Sequence, residues 1–237
     1  MLPPATAERA RISEIFSSLQ GEGTHLGERH LFVRFGDCPV RCSYCDEANK
    51  PAREMMREEV LTELVRLERG WGPHRFVSLT GGEPLYSLPF LLPLLDGLKA
   101  LGYKNYLETS GILWEEMAQA ISSCDAIAMD MKPASVTGLS DYRTEHRRFL
   151  AIAKAKEVFV KIAVSSDLVV AEFDSLIGIV ADTAAQTPVI LQAVSGRMDT
   201  AQDPQILAFM EGLQRRALRV LEDVRILPRL HCLWKLP

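Results

Sequence analysis

The sequence predicts an α/β fold with parallel strands, and two observations carry the prediction. After residue 70, short apolar runs alternate with longer segments of helical spacing. The runs are almost continuously apolar, which is typical of strands in a sheet that is covered on its faces. Strict alternation indicates parallel strands joined by crossover helices. A chain of 237 residues, 47% of them hydrophobic, is long enough for one large domain with a substantial core.

Six apolar runs are strand candidates, each short and most of them rich in β-branched or aromatic residues. Six units in about 200 residues are too few for a closed eight-fold barrel. The pattern therefore leaves two architectures open, a doubly wound open sheet and a partial barrel. The runs lie at 30–35, 75–79, 104–108, 126–130, 158–164 and 188–192.

Three segments between and beside the runs have the character of helices. The segment 57–69 places its apolar residues on one face bordered by charge. The segment 88–102 is expected to end at Gly102, although Pro93 inside it indicates a kink or a late start. The last helix is expected to begin at Asp203, an N-cap residue that is followed by proline.

Charge and hydropathy exclude several classes of protein. The net charge is −4 and the basic residues are scattered, which argues against a surface for duplex nucleic acid. The first 16 residues contain no apolar core of the length that a signal peptide needs, and no later apolar run approaches the length of about 20 residues that crosses a membrane. Five cysteines, an odd number, suit a reducing compartment. We therefore expect a cytoplasmic protein that binds neither nucleic acid nor membrane.

Three of the five cysteines stand directly after the first strand candidate, as Cys38-x3-Cys42-x2-Cys45. Three thiolates on a loop can hold a [4Fe–4S] cluster and leave one iron open to a substrate or cofactor. The alternative is a non-catalytic zinc site, with its fourth ligand supplied by a histidine such as His25 or His30.

Polar residues follow other strand candidates as well, at 108–111, at 130–132 and at Gln192. In parallel α/β folds the carboxyl ends of the strands carry the chemistry. We therefore expect these residues and the cysteine loop to share one edge of the sheet. Glu108 fits either a polar group that lines a barrel or a contact to a bound ligand.

The turn Thr80-Gly81-Gly82-Glu83-Pro84 follows the second strand candidate. Glycines there let the backbone approach a ligand closely, although the turn alone is weak evidence of function. Together with the cysteine motif it resembles the radical S-adenosylmethionine (SAM) superfamily. That resemblance implies that Gly82 lies at the SAM amino group and that SAM chelates the open iron. One electron from the cluster then cleaves SAM to methionine and a 5′-deoxyadenosyl radical, which abstracts a hydrogen atom from the substrate.

The stretch before the cysteines is more specific than the cysteine and glycine motifs, because it distinguishes one family within the superfamily. Leu19-Gln20-Gly21-Glu22-Gly23 precedes a strand that carries Arg34, and "YLETSG", "ILQAVSG" and "HCLWKLP" follow in order. Along nearly its whole length the chain resembles the 7-carboxy-7-deazaguanine synthase (QueE) family of queuosine and deazapurine biosynthesis. The resemblance implies conversion of 6-carboxy-5,6,7,8-tetrahydropterin to 7-carboxy-7-deazaguanine, a ring contraction that loses ammonia and is supported by Mg²⁺.

The same resemblance implies an architecture and partners. The fold would be a shortened partial (βα)6 barrel, like a TIM barrel with parallel strands, and the whole chain, 1–237, would form a single radical SAM domain. Residues 37–50 would form the cluster loop, and residues 224–237 would close the substrate pocket. The protein would be a homodimer that receives electrons from a donor such as flavodoxin or ferredoxin.

Individual residues take expected roles from the resemblance. Arg34 would pair with the substrate carboxylate, which suits the fixed fork of a guanidinium group. The substrate contacts would be Leu19, Gln20, Gly21, Arg34, Thr80 and the terminal carboxylate of Pro237. The SAM contacts would be Tyr44, Cys45, Asp46, Gly82, Asp130, Met131, Lys132, Gln192, Ala193, Val194 and Ser195.

The chain departs from the family at Glu47, where the family usually has a threonine whose hydroxyl binds Mg²⁺. A carboxylate is also a hard oxygen ligand, so Glu47 is a candidate ligand for the magnesium ion. The alternative is an ordinary surface residue on the cluster loop.

A second departure is the segment 130–132, Asp-Met-Lys, where many relatives have Ser-Pro-Lys. Asp-x-Lys at this strand end also resembles the activases of glycyl radical enzymes, a sister group. The activase is therefore the alternative function, although activases act on a protein loop and need no Gln20 and Arg34 for a small acid.

Overall fold

The computed structural model describes residues 8–45, 47, 50–194 and 203–234, in which nine strands form one sheet. The strands are β1 (Arg9–Leu19), β2 (Arg29–Phe35), β3 (Arg53–Met56), β4 (Phe76–Gly81), β5 (Lys104–Thr109), β6 (Ala126–Met131), β7 (Glu157–Val164), β8 (Val189–Ala193) and β9 (Val224–Ile226). The α-helices are α1 (Arg57–Trp71), α2 (Leu88–Ala100), α3 (Trp114–Ala120), α4 (Ala134–Thr137), α5 (Arg143–Ala153), α6 (Val170–Ala184), α7 (Pro204–Ala217) and α8 (Leu230–Trp234).

The order of the strands decides between the two architectures that the sequence left open. β2 pairs in parallel with β4, and from β4 to β9 each strand pairs in parallel with the next one along the chain. A doubly wound sheet reverses its strand order at a switch point, and this order never reverses. The α/β class and the partial barrel are therefore confirmed, and the six predicted strands are β2 and β4 to β8.

Three strands were not predicted. β1 pairs antiparallel with both β2 and β3, so one edge of the otherwise parallel sheet is antiparallel. The sequence of β1 mixes charged and small polar residues with apolar ones, and its side chains are mostly half-buried. β3 and β9 have four and three residues, too few for a periodic signal.

Alternation along the strands gives the sheet two apolar faces. Leu107 and Ile127 belong to the large core that also contains the buried residues of the helices. Their neighbours Tyr106 and Ala126 belong to a smaller cluster, with Phe76, Ala128, Phe159 and Ile190. This smaller cluster lines the inside of the partial barrel, which we call the lumen.

The three predicted helices are confirmed as α1, α2 and α7. α1 buries an apolar face that includes Val60 and Leu64. α2 runs through Pro93 and ends two residues before Gly102, whose φ of +89° is the left-handed conformation that glycine adopts readily. Asp203 caps α7, because its side chain accepts a hydrogen bond of 2.8 Å from the backbone N–H of Gln205.

The connection between β1 and β2, residues 20–28, folds into the amino end of the lumen, and we call it the floor loop. The backbone N–H of Gln20 donates to the carbonyl of Glu28 at 2.7 Å, which closes the loop. Gly23 has φ +69°, and a Cβ built on it would lie 2.0 Å from the Phe159 ring. His25 packs edge-on against Phe76. The floor loop therefore fills the amino end of the lumen beneath the sheet's carboxyl edge.

Within the ranges given above, no helix combines the length and the apolar character that spanning a lipid bilayer requires.

Candidate active site

A cavity of about 460 Å³ opens at the carboxyl ends of the parallel strands. Its volume lies within the range of roughly 300–1,000 Å³ that is usual for small-molecule sites. Most of the predicted site residues line it. They are Leu19, Gln20, Gly21, Arg34, Cys38, Cys42, Tyr44, Cys45, Glu47, Thr80, Gly82, Asp130, Lys132, Gln192, Ala193 and Val194.

Met131 does not line the cavity. Alternation along β6 turns Asp130 toward the cavity and the Met131 side chain, which is fully buried, toward the core on the helix side. Only its backbone can therefore face a bound cofactor. Asp46, Ser195 and Pro237 lie outside the described residues.

The cysteine loop is fixed by hydrogen bonds to α4. The Ser43 N–H donates to the carbonyl of Thr137 at 2.9 Å, and the Ser43 hydroxyl donates to the carbonyl of Val136 at 3.1 Å. The Cys38 residue is exposed at the rim, yet its thiol faces the cavity, where burial raises its pKa to about 11. The Cys38 thiol is therefore protonated at neutral pH until a metal displaces its proton.

The histidines proposed for a zinc site lie too far from the cysteines. His30 is near the start of β2 and Cys38 follows its end, so at about 3.3 Å per residue they are separated by roughly 15 Å or more. His25 lies in the floor loop. The three thiol sulfurs are also absent from the group of three ligand atoms within 4.8 Å of one another that the described residues contain. Separate irons of a cubane suit such thiols better than one zinc ion does, so the donor set fits a [4Fe–4S] cluster.

The glycine turn packs against the start of the cysteine loop. The Gly82 N–H donates to the carbonyl of Phe35 at 2.7 Å, and the Glu83 N–H donates to the carbonyl of Asp37 at 2.8 Å. A Cβ on Gly82 would lie 2.2 Å from the Asp37 oxygen, and Gly81 has φ +99°. Neither position accepts a side chain, so bare backbone faces the cavity beside the cysteines.

The carboxylate of Glu83 holds the glycine turn in place through hydrogen bonds. Its buried carboxylate accepts hydrogen bonds from the Thr109 hydroxyl at 2.9 Å and from the Ser110 N–H at 2.8 Å. The Leu85 N–H donates to it as well, at 3.2 Å. Burial raises the pKa of Glu83, although these donors favour the charged form. The acid therefore ties the glycine turn to the end of β5.

Gln20, Thr80 and Glu108 form one hydrogen-bonded row across the cavity. The Gln20 amide donates to Glu108 Oε1 at 3.0 Å, and the Thr80 hydroxyl donates to Glu108 Oε2 at 3.1 Å. Burial raises the pKa of Glu108 above its ordinary value. The structure therefore brings together two predicted substrate contacts from distant parts of the chain, and it places Glu108 between them.

Arg34 lies beside this row, because it is the register partner of Thr80 on the neighbouring strand β2, and it stands among acids and an aromatic ring. Its Nη1 is 2.5 Å from Glu14 Oε2 and 3.4 Å from Glu47 Oε1, and its guanidinium lies 4.8 Å from the centre of the Phe16 ring. Lys50 also reaches both acids, at 2.8 Å from Glu47 and 3.2 Å from Glu14. The predicted carboxylate anchor therefore holds carboxylates of the protein itself.

Sequence reasoning missed a second charged group in the cavity. Lys161 of β7 pairs with Glu22 of the floor loop, whose other oxygen lies 2.9 Å from Arg229 Nε. Burial alone would lower the pKa of Lys161, but Glu22, Asp130 and Glu108 raise it. The signal was a lysine within the apolar strand "EVFVKIAV", because lysine is almost never buried without a partner. Nothing in the sequence around Arg229 indicated a role in the cavity.

Asp130 and Lys132 form the ion pair that the Asp-x-Lys segment suggests. Their Oδ2 and Nζ atoms lie 2.6 Å apart in the cavity wall. Burial opposes ionisation of both groups, yet Lys132 and Lys161 hold the pKa of Asp130 below its ordinary value. The charge of Asp130 likewise holds the pKa of Lys132 well above its ordinary value. Both groups are therefore charged at neutral pH.

Comparison with known proteins agrees with this geometry. A sequence model described as the Radical SAM superfamily matches residues 32–171, more than half of the chain. A protein from Geobacter sulfurreducens named 7-carboxy-7-deazaguanine synthase is 35% identical over 242 residues, covering 94% of this chain and 96% of its own. A protein of the same name from Methanopyrus kandleri is 32% identical, over 93% of this chain and 91% of its own.

Solved structures show the same fold. The crystal structure of QueE from Escherichia coli matches with a TM-score of 0.63 and 22% identity, over 94% of this chain and 95% of that chain. The cysteine loop, the glycine turn and relatives that span nearly the full length lead to one conclusion. The chain belongs to the 7-carboxy-7-deazaguanine synthase family of the radical SAM superfamily, whose cofactors are a [4Fe–4S] cluster and SAM.

Proposed function

We propose that this protein converts 6-carboxy-5,6,7,8-tetrahydropterin to 7-carboxy-7-deazaguanine by a radical ring contraction with loss of ammonia. One observation carries the proposal: a single cavity contains the three thiols, the bare glycine turn and a polar row suited to a small acid. When bound, the cluster and SAM supply the one-electron chemistry that removes a hydrogen atom from the substrate. The residues of the chain bind and orient the two molecules.

The substrate is expected to bind against Arg34 and the neighbouring row of Gln20, Thr80 and Glu108. Its carboxylate would replace Glu14 on the Arg34 guanidinium, since a charge-assisted bond to a planar fork fixes both distance and orientation. The pterin ring carries N–H donors and a carbonyl, and the row offers both acceptors and donors to match them. Leu19 and Gly21 line the same part of the cavity.

SAM is expected to bind beside the cysteines. The proposed contacts that line the cavity are the backbone of Gly82, the Asp130–Lys132 pair, the side chain of Tyr44 and the backbone around Gln192 to Val194. A charged pair suits the amine and carboxylate of the methionyl group. Cys38, Cys42 and Cys45 would hold the cluster.

Glu47 is the proposed ligand for Mg²⁺. Its Oε2 atom is buried and has no hydrogen-bond partner among the described residues, which fits a hard cation that binds oxygen. Its Oε1 atom lies 2.8 Å from Lys50 Nζ and would stay on that lysine. The ion would neutralise negative charge that the substrate carboxylate brings near Glu14.

Several partners and boundaries also belong to the proposal. A flavodoxin or ferredoxin would supply the electron, the chain would form a homodimer in the cytoplasm, and residues 1–237 would be one domain. Two contacts support the expected role of residues 224–237 in closing the pocket. Arg229 lines the cavity, and the Leu230 N–H donates to the carbonyl of Gly21 in the floor loop at 2.9 Å.

The deciding experiment is an anaerobic assay of the reconstituted protein with SAM, a reductant and the carboxylated tetrahydropterin. We expect a brown protein with about four irons per chain, and a deazaguanine product that mass spectrometry detects. SAM cleavage without that product, together with glycyl radical formation on a partner enzyme, would support the activase instead.

A pair of cysteine variants tests the assignment of the thiols. Cys42→Ala should lose most of its iron and all SAM cleavage. Cys124→Ala is the matched control, because Cys124 is fully buried in the core away from the cavity, and it should keep both. Full activity of a variant lacking Cys38, Cys42 and Cys45 together would refute the proposed function.

A further inference from the structure

Two histidines and a glutamate converge on one point at the amino end of the sheet. His25 Nδ1 lies 3.2 Å from Glu28 Oε2, and His30 Nε2 lies 3.7 Å from the same oxygen. In the part of the chain that the structure describes, these are the one group of three ligand atoms that all lie within 4.8 Å of one another. Ligands around a tetrahedral zinc ion, with bonds of about 2.0–2.1 Å, are separated by roughly 3.3 Å. The observed spacing is close to that of a mononuclear metal centre.

The two ring nitrogens that face this point are unsatisfied. His25 is 7% exposed and His30 is 0% exposed. Both His25 Nδ1 and His30 Nε2 are buried without a hydrogen bond, and at 3.7 Å the His30 nitrogen is beyond hydrogen-bond distance of Glu28. A buried polar atom without a partner is costly, and such atoms call for an explanation. A cation between the three residues would satisfy both nitrogens at once.

The other nitrogen of each ring is held in place. His25 Nε2 lies 2.9 Å from Glu157 Oε1, and His30 Nδ1 lies 2.8 Å from the Ser78 hydroxyl. When these nitrogens carry the protons, the lone pairs of the two rings both point toward Glu28. Metal-binding histidines show the same arrangement, with the far N–H given to a carboxylate or another acceptor.

A third histidine nearby shows what a purely structural pair looks like. His74 Nδ1 lies 2.6 Å from Glu68 Oε2, and His74 Nε2 lies 2.7 Å from the Ser17 hydroxyl. Both of its nitrogens are satisfied, so it has no lone pair left for a metal. The group formed by His25, Glu28 and His30 differs from it in the two unsatisfied nitrogens.

We propose that His25, Glu28 and His30 bind a zinc ion, at the end of the sheet opposite the cysteines. Two imidazoles and one carboxylate are ordinary zinc ligands, and a water molecule would complete the tetrahedron. The Glu28 side chain is 45% exposed, so the ion can enter from solvent. Bound zinc joins the floor loop to β2 and thereby stabilises the loop that carries Gln20. The proposal does not depend on the proposed function.

The test uses protein that is already loaded with its cluster, so that iron occupies the thiols. The protein is equilibrated with zinc sulfate, desalted and analysed for zinc by mass spectrometry and by absorption at the zinc K-edge. We expect one zinc per chain, with nitrogen and oxygen neighbours at about 2.0–2.1 Å. A protein that retains no zinc, or zinc with sulfur neighbours at about 2.3 Å, overturns the proposal.

Matched variants locate the ion. Glu28→Gln should weaken zinc affinity by about 100-fold or more, since even the loss of an outer partner of a ligand costs about 10- to 100-fold. Glu54→Gln changes a similarly exposed glutamate, and His74→Gln changes the satisfied histidine, so both should bind zinc as the wild type does. Zinc should raise the Tm of the wild type and of both controls but not of Glu28→Gln. Unchanged affinity in Glu28→Gln refutes the site.

Discussion

Arg34 Nη1 lies 2.5 Å from Glu14 Oε2, so the guanidinium expected to bind the substrate carboxylate already holds one from the protein. The two carboxylates compete for the same fork. Arg34→Gln should lower kcat/KM for the pterin by about 10- to 100-fold, the effect of losing a charged hydrogen bond worth about 1.5–3 kcal/mol. Glu14→Gln should lower KM, because it removes the competitor.

Steady-state assays of both variants, run with SAM in excess, test this competition. Arg66→Gln is the control, since Arg66 pairs with Glu63 on the exposed face of α1. An Arg34→Gln enzyme with wild-type kcat/KM would show that the substrate carboxylate binds elsewhere.

Gly82→Ala should damage both stability and the SAM site. The new Cβ would meet the Asp37 carbonyl oxygen at 2.2 Å, so the glycine turn or the cysteine loop must shift. We expect the free energy of unfolding to fall by about 1–3 kcal/mol, as for other overpacked positions. SAM affinity should fall as well, as measured by equilibrium binding to the cluster-loaded protein.

The control for this glycine is Gly212→Ala in α7, where nothing lies within 4 Å of the added Cβ. Alanine there should raise stability by about 0.5–1 kcal/mol, because glycine is unfavourable inside a helix. Equal stabilities for the two variants in denaturant titrations would contradict the contact between Gly82 and Asp37.

The raised pKa of Glu108 predicts that the stability of the protein depends on pH. Burial raises its pKa in the folded state, so its protonated form favours folding. That contribution is complete below the unfolded pKa near 4.5 and is lost as the pH rises through the folded pKa. Glu108→Gln should therefore gain stability over the wild type as the pH rises from 5 to 8, while losing turnover. A Tm difference that stays constant across this range would contradict the raised pKa.

The ion pair between Lys161 and Glu22 predicts that removing the lysine lowers the free energy of unfolding and leaves the three cysteines unchanged. Lys161→Met leaves Glu22 paired with Arg229 in the cavity and removes the positive charge near Asp130 and Glu108. Breaking a buried pair costs about 3–5 kcal/mol, and we expect the lower end because Arg229 remains. Adding Glu22→Gln should restore part of the loss, whereas the exposed control Lys154→Gln should cost little. Denaturant titrations at pH 7 measure all four proteins.

The sequence predicts most of the parallel sheet, because β2 and β4 to β8 are short apolar runs between helical segments. It does not reveal β1, whose side chains are mostly half-buried and whose polar residues hide the strand period. The predicted site residues come largely from local motifs at strand ends, which the fold brings to one cavity. Lys161 and Arg229 escape prediction because their role depends on contacts with Glu22, 139 and 207 residues away along the chain.

The placement of the floor loop also affects the order in which ligands enter and leave the cavity. In the described part of the chain this loop fills the amino end of the lumen, and the cavity reaches the surface beside the cysteines, of which Cys38 and Cys45 are exposed. A molecule resting on Gln20 lies deeper than one at the cysteine rim. We therefore expect ordered binding, in which the ligand at Gln20 enters before the ligand at the cysteines and leaves after it.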